Sequence, residues 1–213
     1  MVATHSAHKL RELRELLAVP DLELVSLDDL GVAGEPTEDG ETFETNARIK
    51  ARHAARATGL PSLADDSGIE VEALGGRPGV RTRRYAGEHA TDDDNNRKLL
   101  GELAGLGAER RGARYVCVLA LAVPDLGAPA GLRIVTRRGT SRGRIATEPR
   151  GSGGFGYDPI FEPSAEPPGG RTFGQYSAAE KHAISHRARA ALRMAPVLRG
   201  MREPGRPSDG TRH

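Results

Sequence analysis

The chain has 213 residues with 31 basic and 29 acidic side chains. That length holds one domain with a sizeable core, and the near balance of charge excludes the strong field of a nucleic-acid or membrane-surface protein. Only Lys9, Lys50, Lys98 and Lys181 are lysine, and this Arg surplus, with 27 Gly and no Trp, reads as compositional drift. A lysine in such a background is worth marking, because its ammonium is a compact, strongly hydrated charge that guanidinium does not copy. The single Cys117 excludes a disulfide framework within the chain and fits a reducing compartment. No apolar run has the length of a membrane span, so a soluble cytoplasmic protein is expected.

Val2-Ala3-Thr4 reads as a short strand, followed by a polar loop and an amphipathic helix carrying Leu10, Leu13, Leu16 and Leu17. Leu22 to Leu27 suggests a second strand, and residues 31–41 a loop. From Thr42 to Thr58 a stripe of Phe43, Ala47, Ala51, Ala54 and Ala55 predicts a helix closed by Gly59 and Pro61. Leu63-Ala64 then runs into Asp65-Asp66, and Ser67-Gly68 has the composition of a turn that ends the strand. Ile69 to Ala73 alternates as a further strand, and residues 75–90 read as a loop. Thr91-Asp92-Asp93-Asp94 opens a helix with acids placed for its dipole. Tyr115 to Val123 is a buried strand holding Cys117 as an inert thiol. Leu132 to Arg138 and Ser141 to Thr147 suggest a hairpin around Gly139. Ser177 to Glu180 forms a capping box starting a last helix that runs to about Met194, and a disordered tail is expected from Arg199. The alternation indicates a mixed α/β sheet.

Four polar clusters could carry chemistry. Thr4-His5-Ser6-Ala7-His8-Lys9 leads into a helix, where backbone N–H groups, hydroxyls and one lysine make a phosphate cradle without the glycines of a P-loop. Glu38-Asp39-Gly40 precedes a helix bearing Asn46 and Lys50. Asp65-Asp66-Ser67 offers adjacent carboxylates whose repulsion calls for a cation or proton between them, although the hexapeptide 63–68 alone reads first as a solvated turn. Gly151 to Pro159 sets Phe155 and Tyr157 into a glycine run, and an aromatic held this way can lie flat on a planar ligand. Lys181, His186 and Arg187 follow, the last two placed two turns into a helix as hydrogen-bond donors. The inventory fits a nucleoside polyphosphate better than a protein or sugar ligand.

The order and wording of these motifs resemble the inosine triphosphate pyrophosphatase family. The matching segments are Thr4–Lys9 with Glu12, Glu38–Gly40 with Thr42-Phe43 and Asn46-Ala47, and Thr58–Pro61 through Asp65–Gly68. They continue with Ala73–Val80, Arg84–Gly87, Gly153–Phe161, Glu180-Lys181 and Ile184–Arg187. The resemblance covers residues 4–192 in one collinear order and implies a two-lobed α/β fold, a long mixed β-sheet flanked by helices, with the nucleotide cleft between the lobes in a single domain spanning residues 1–198. It implies a homodimer that hydrolyses deaminated purine nucleoside triphosphates (ITP, dITP, XTP) to the monophosphate and pyrophosphate with Mg²⁺. Carried onto this chain, Asp66 is the general base and a metal ligand, with Glu38 as the other metal ligand. Lys9, Lys50 and the segment Thr4, His5, Ser6, Ala7 and His8 hold the triphosphate, and Ser67 contacts substrate. Phe155, Gly156, Tyr157 and Asp158 hold base and sugar, while Lys181, His186 and Arg187 address the purine edge. No nucleic-acid or membrane partner is expected.

The chain departs from the family wording at Ser6, where Asn is usual, at Gly174-Gln175-Tyr176 and at Ala188, and only three residues precede Thr4. A pyrophosphatase for another modified nucleotide and a nucleotide binder without turnover are the rival readings. Three tasks stay open for Asp65: orienting Asp66, binding metal through water, or shaping the turn.

Overall fold

In the computed structural model, Asp65 and Asp66 lie in the middle of a ten-residue strand, Ser62–Val71, rather than at a strand end. The structure describes residues 2–3, 6–17, 19–20, 22–32, 34 and 36–201; the candidate residues Thr4 and His5, and the expected tail beyond residue 201, lie outside these. Ser67-Gly68 does not turn. A Cβ at Gly68 would lie 2.8 Å from both the Gly79 carbonyl oxygen and Thr82 Cβ, so glycine here admits the covering 3-10 segment Gly79–Arg84.

The elements are β1 (Val2–Ala3), α1 (Ala7–Leu16), α2 (Phe43–Thr58), β2 (Ser62–Val71), α3 (Asp92–Glu102), β3 (Gly112–Pro124), β4 (Leu132–Ile145), β5 (Phe161–Pro163), α4 (Ala178–Ile184) and α5 (His186–Gly200). One open sheet runs in the order β1-β2-β3-β4-β5, with β1 parallel to β2 and every other pair antiparallel. The expected strand at Leu22–Leu27 is reduced to a single bridge between Ser26 and Val2. The expected hairpin around Gly139 is one continuous strand, β4, because Gly139 serves a close approach: a Cβ there would collide with the backbone of His186 and Ala190 in α5.

The last helix is two. Ser185 is extended, and its hydroxyl accepts from Ala188 N at 3.1 Å, capping a fresh helix whose first residues are His186 and Arg187. These two therefore stand in a first turn, not two turns in. Arg199 and Gly200, expected in the tail, close α5.

Alternation along β2 and β3 divides the core. Leu63, Cys117, Leu119 and Leu121 pack against α1 and α5, whereas Ala64, Val116, Val118 and Ala120 pack against the alanine face of α2. Toward the other end of the sheet, Ile69, Val71, Tyr115, Ile145, Phe161 and Phe173 form a third cluster. Among the described residues, the outer edge of β4 has a strand partner only at Gly143–Ile145. Its carbonyls at Thr136, Arg138 and Thr140 instead accept from the guanidinium groups of Arg137, Arg193 and Arg189. Among the described residues, no helix is long and apolar enough to cross a membrane.

Candidate active site

A cleft of about 580 Å³ opens where these clusters meet. Its lining brings together Ser6, His8, Lys9, Glu38, Lys50, Asp65, Asp66, Ser67, Phe155, Gly156, Tyr157, Asp158, Lys181, His186 and Arg187. Ala7 is the first residue of α1.

Side chains alternate across a strand, so the two adjacent carboxylates face opposite sides of the sheet. Asp65 pairs in register with Leu119 on the α1/α5 side, and Asp66 with Val118 on the α2 side. Each has its own lysine: Lys9 Nζ is 2.7 Å from Asp65 Oδ1, and Lys50 Nζ is 2.7 Å from Asp66 Oδ1.

Asp65 is fully enclosed. It accepts from Arg187 Nε at 2.9 Å, Ser67 Oγ at 2.8 Å and Cys117 Sγ at 3.1 Å, besides its lysine. Burial alone would raise its pKa, but Arg187 and Lys9 outweigh it and hold the carboxyl well below the usual range. Cys117 is thus buried, as expected, with its thiol pushed up by burial and by Asp65.

Asp66 differs. Burial raises its pKa, Glu38 adds to the rise, and Lys50 and Lys9 only partly offset it. Its Oδ2 is buried without a hydrogen-bond partner among the described residues. Lys50 Nζ also lies 3.4 Å from Glu38 Oε1, so a single cation already reaches both carboxylates. Among the described residues no cluster of three or more potential ligands exists. Two carboxylates with water and phosphate oxygens are the donor set Mg²⁺ takes, and an orphaned carboxylate oxygen fits it.

The remaining charges form a chain under the cleft. Arg187, 1% exposed, donates to Asp65, to Ser67 Oγ at 2.9 Å and to Glu12. Glu12 also accepts from Lys181 Nζ at 3.0 Å, and Lys181 donates to Asp158 Oδ2 at 2.7 Å. The half-buried Phe155 ring lies over Lys181 Nζ at 4.8 Å and beside His8 at 5.3 Å. His186 stacks flat on Tyr115, with centroids 4.5 Å apart. Burial and the neighbouring Arg187 and Lys181 hold its pKa well below the usual value, which keeps the ring neutral; its Nδ1 is unpaired among the described residues.

Sequence reasoning gave no role to Glu12, Tyr115, Val80, Thr82 or Asp92. Glu12 and Val80 stood only as motif positions, Asp92 only as an acid placed for its helix dipole, and residues 75–90 read as loop. Their signal is long-range: Glu12 meets Arg187 from the far end of the chain, and Tyr157 Oη donates to the Thr82 carbonyl at 2.7 Å.

Fold and cleft together define an open, mixed α/β protein whose binding site interleaves lysines, carboxylates and aromatic rings. Comparison with known proteins sharpens that class: the chain belongs to the Ham1 family, whose model matches residues 1–197. The chain is similar to a dITP/XTP pyrophosphatase of Mycolicibacterium paratuberculosis, at 48% identity over 93% of this chain and 94% of the relative. It is likewise 48% identical to a dITP/XTP pyrophosphatase of Syntrophobacter fumaroxidans over 91% of this chain and 79% of that protein. The solved structure of a HAM1 protein from Coxiella burnetii superposes with a TM-score of 0.81 at 40% identity, covering 93% of this chain and 97% of that one.

Proposed function

We propose that the chain hydrolyses deaminated purine nucleoside triphosphates, ITP, dITP and XTP, to the monophosphate and pyrophosphate, as a Mg²⁺-dependent cytoplasmic homodimer. Family membership supports the reaction class. The observation that carries the mechanism is the unequal pair on β2: Asp65 is a saturated anchor, while Asp66 keeps one oxygen free beside Lys50 and Glu38.

Breaking the anhydride between the α and β phosphorus atoms requires positioning and charge neutralisation more than covalent help. Lys9 and Lys50 supply point charges to the triphosphate, and the N-terminal turn of α1, capped by Ser6, adds the positive end of a helix dipole. Ser67, oriented by Asp65 and Arg187, contacts the substrate from the strand itself. Glu38 and Asp66 would hold Mg²⁺, which supplies further charge neutralisation at the phosphate oxygens. The Asp66 carboxylate also accepts the proton of the attacking water, a task suited to a carboxylate whose basicity burial has raised.

Phe155 offers a face for the base, and Gly156, Tyr157 and Asp158 complete that wall. Hypoxanthine and xanthine carry a keto oxygen where adenine carries an amino group. The unused N–H groups of Arg187, with Lys181 and the neutral His186 beside them, suit the oxygen. An amino group would leave buried donors unpaired at about 1–3 kcal/mol each.

Separating the products of ITP, dITP, XTP, ATP and GTP hydrolysis tests the reading. Monophosphate and pyrophosphate from the first three, with ATP and GTP far slower, is the expected result. Orthophosphate release, or equal rates for all purines, would overturn it. Preference for another modified nucleotide would leave the chemistry and replace the substrate.

A further inference from the structure

The cleft wall that carries Phe155 is held by a helix that none of the roles above includes. Asp92 and Asn96 project from the first turns of α3 onto one peptide unit after another of the aromatic loop. Asp92 Oδ2 accepts from Gly156 N at 2.6 Å, and Asn96 Nδ2 donates to the Gly156 carbonyl at 3.1 Å. Both backbone hydrogen-bonding groups of Gly156 are thus taken by α3. The preceding residue is Phe155, whose own N–H is taken by Asp158 Oδ2 at 2.9 Å. The chain on both sides of the Phe155 ring is therefore pinned: Asp158 N donates to the Phe155 carbonyl at 3.4 Å, and α3 takes both groups of Gly156.

The neighbouring residue extends the grip. Successive side chains on a helix diverge by about 100°, so Asn95 reaches a different loop. Its Nδ2 donates to the Arg83 carbonyl at 2.9 Å, and its Oδ1 accepts from Ala86 N at 2.8 Å. The segment it holds includes Thr82, whose carbonyl accepts from Tyr157 Oη. One turn of α3 ties together the two segments that face the base. Asn is a poor helix former, yet Asn95 and Asn96 are buried in this helix, and Asn96 Oδ1 has no partner among the described residues. A side chain chosen for packing alone would not leave a buried acceptor unsatisfied.

We infer that Asp92 and Asn96 are positioning residues that set the pitch of the Phe155 ring through Gly156, and so govern recognition of the base rather than of the phosphates. This rests on the nucleotide reading above and deepens it. The test compares the KM for ITP with inhibition by inorganic tripolyphosphate, which has no base. Asn96→Ala and Asp92→Ala should each raise the KM for ITP by about tenfold while kcat stays within about twofold, the scale of one hydrogen bond lost per variant. Tripolyphosphate inhibition should be unchanged, and Asp92→Asn, which keeps an acceptor for Gly156 N, should restore the wild-type KM. Exposed Asp92 provides the test if Asn96→Ala fails to fold. An unchanged KM, or parallel weakening of tripolyphosphate, would overturn the inference. Failure of the wild-type protein to hydrolyse ITP would instead strike the functional reading itself.

Discussion

Replacing Asp65 with Asn keeps the shape of the side chain and removes its charge, and the structure gives the consequence. The carboxylate receives four donors: Lys9 Nζ, Arg187 Nε, Ser67 Oγ and Cys117 Sγ. The amide must turn its NH₂ either toward Lys9 and Ser67 or toward Arg187 and Cys117, placing donor against donor. Arg187 keeps Glu12 but loses a buried counter-charge. Breaking a buried pair from one side costs about 3–5 kcal/mol, which at about 2–4 °C per kcal/mol for a chain of this size lowers Tm by roughly 6–20 °C. Urea unfolding in metal-free buffer measures the cost. Because the folded pKa of Asp65 is depressed, its stabilisation is complete above the unfolded value of about 3.9 and is lost as the pH falls through the folded value. The gap between wild type and Asp65→Asn should therefore be constant near neutrality and close in strong acid. A variant within about 1 kcal/mol of wild type at pH 7 would refute the anchoring role.

Asp66→Asn removes the proposed base without uncovering Arg187, so turnover should fall by about a thousandfold or more while nucleotide binding stays within about tenfold; rapid-quench and equilibrium titration separate the two. Chelation should abolish activity and added Mg²⁺ restore it, with Glu38→Gln shifting the required Mg²⁺ concentration upward in a metal titration. Gly154 has φ +73° and its Cβ would run into the Asp158 carboxylate, whereas Gly156 at φ +65° faces open space. Gly154→Ala should thus raise the KM for ITP well beyond Gly156→Ala in steady-state kinetics.

The helices were legible because their signals are local. The alanine stripe of α2, its Thr42 cap and its closing Gly59 all lie within one window, as do the Thr91 capping box and acids of α3. The gathering of Lys9, Lys50, Asp66, Phe155, Lys181 and Arg187 on one cleft was legible through the family wording, not through spacing. Misreadings cluster where a glycine answers to a distant element. Gly68 and Gly139 have turn composition, but the 3-10 segment over one and α5 across the other demand small residues in straight strands. Asp65 was unreadable for the same reason: its partners Lys9, Cys117 and Arg187 come from three separate elements. The break at Ser185 went unread, because a serine inside a periodic run marks a cap only where the backbone extends, and that is set by the fold.

The guanidinium caps along β4 change how the arginine surplus should be understood. A strand from another molecule seeking to prolong the sheet would need the carbonyls of Thr136, Arg138 and Thr140, and would have to evict a charged fork from each. A lysine presents a single hydrated ammonium, whereas a planar guanidinium can lie along the rim and donate from several N–H groups. Composition read as genomic drift thus includes side chains that insulate an otherwise sticky border.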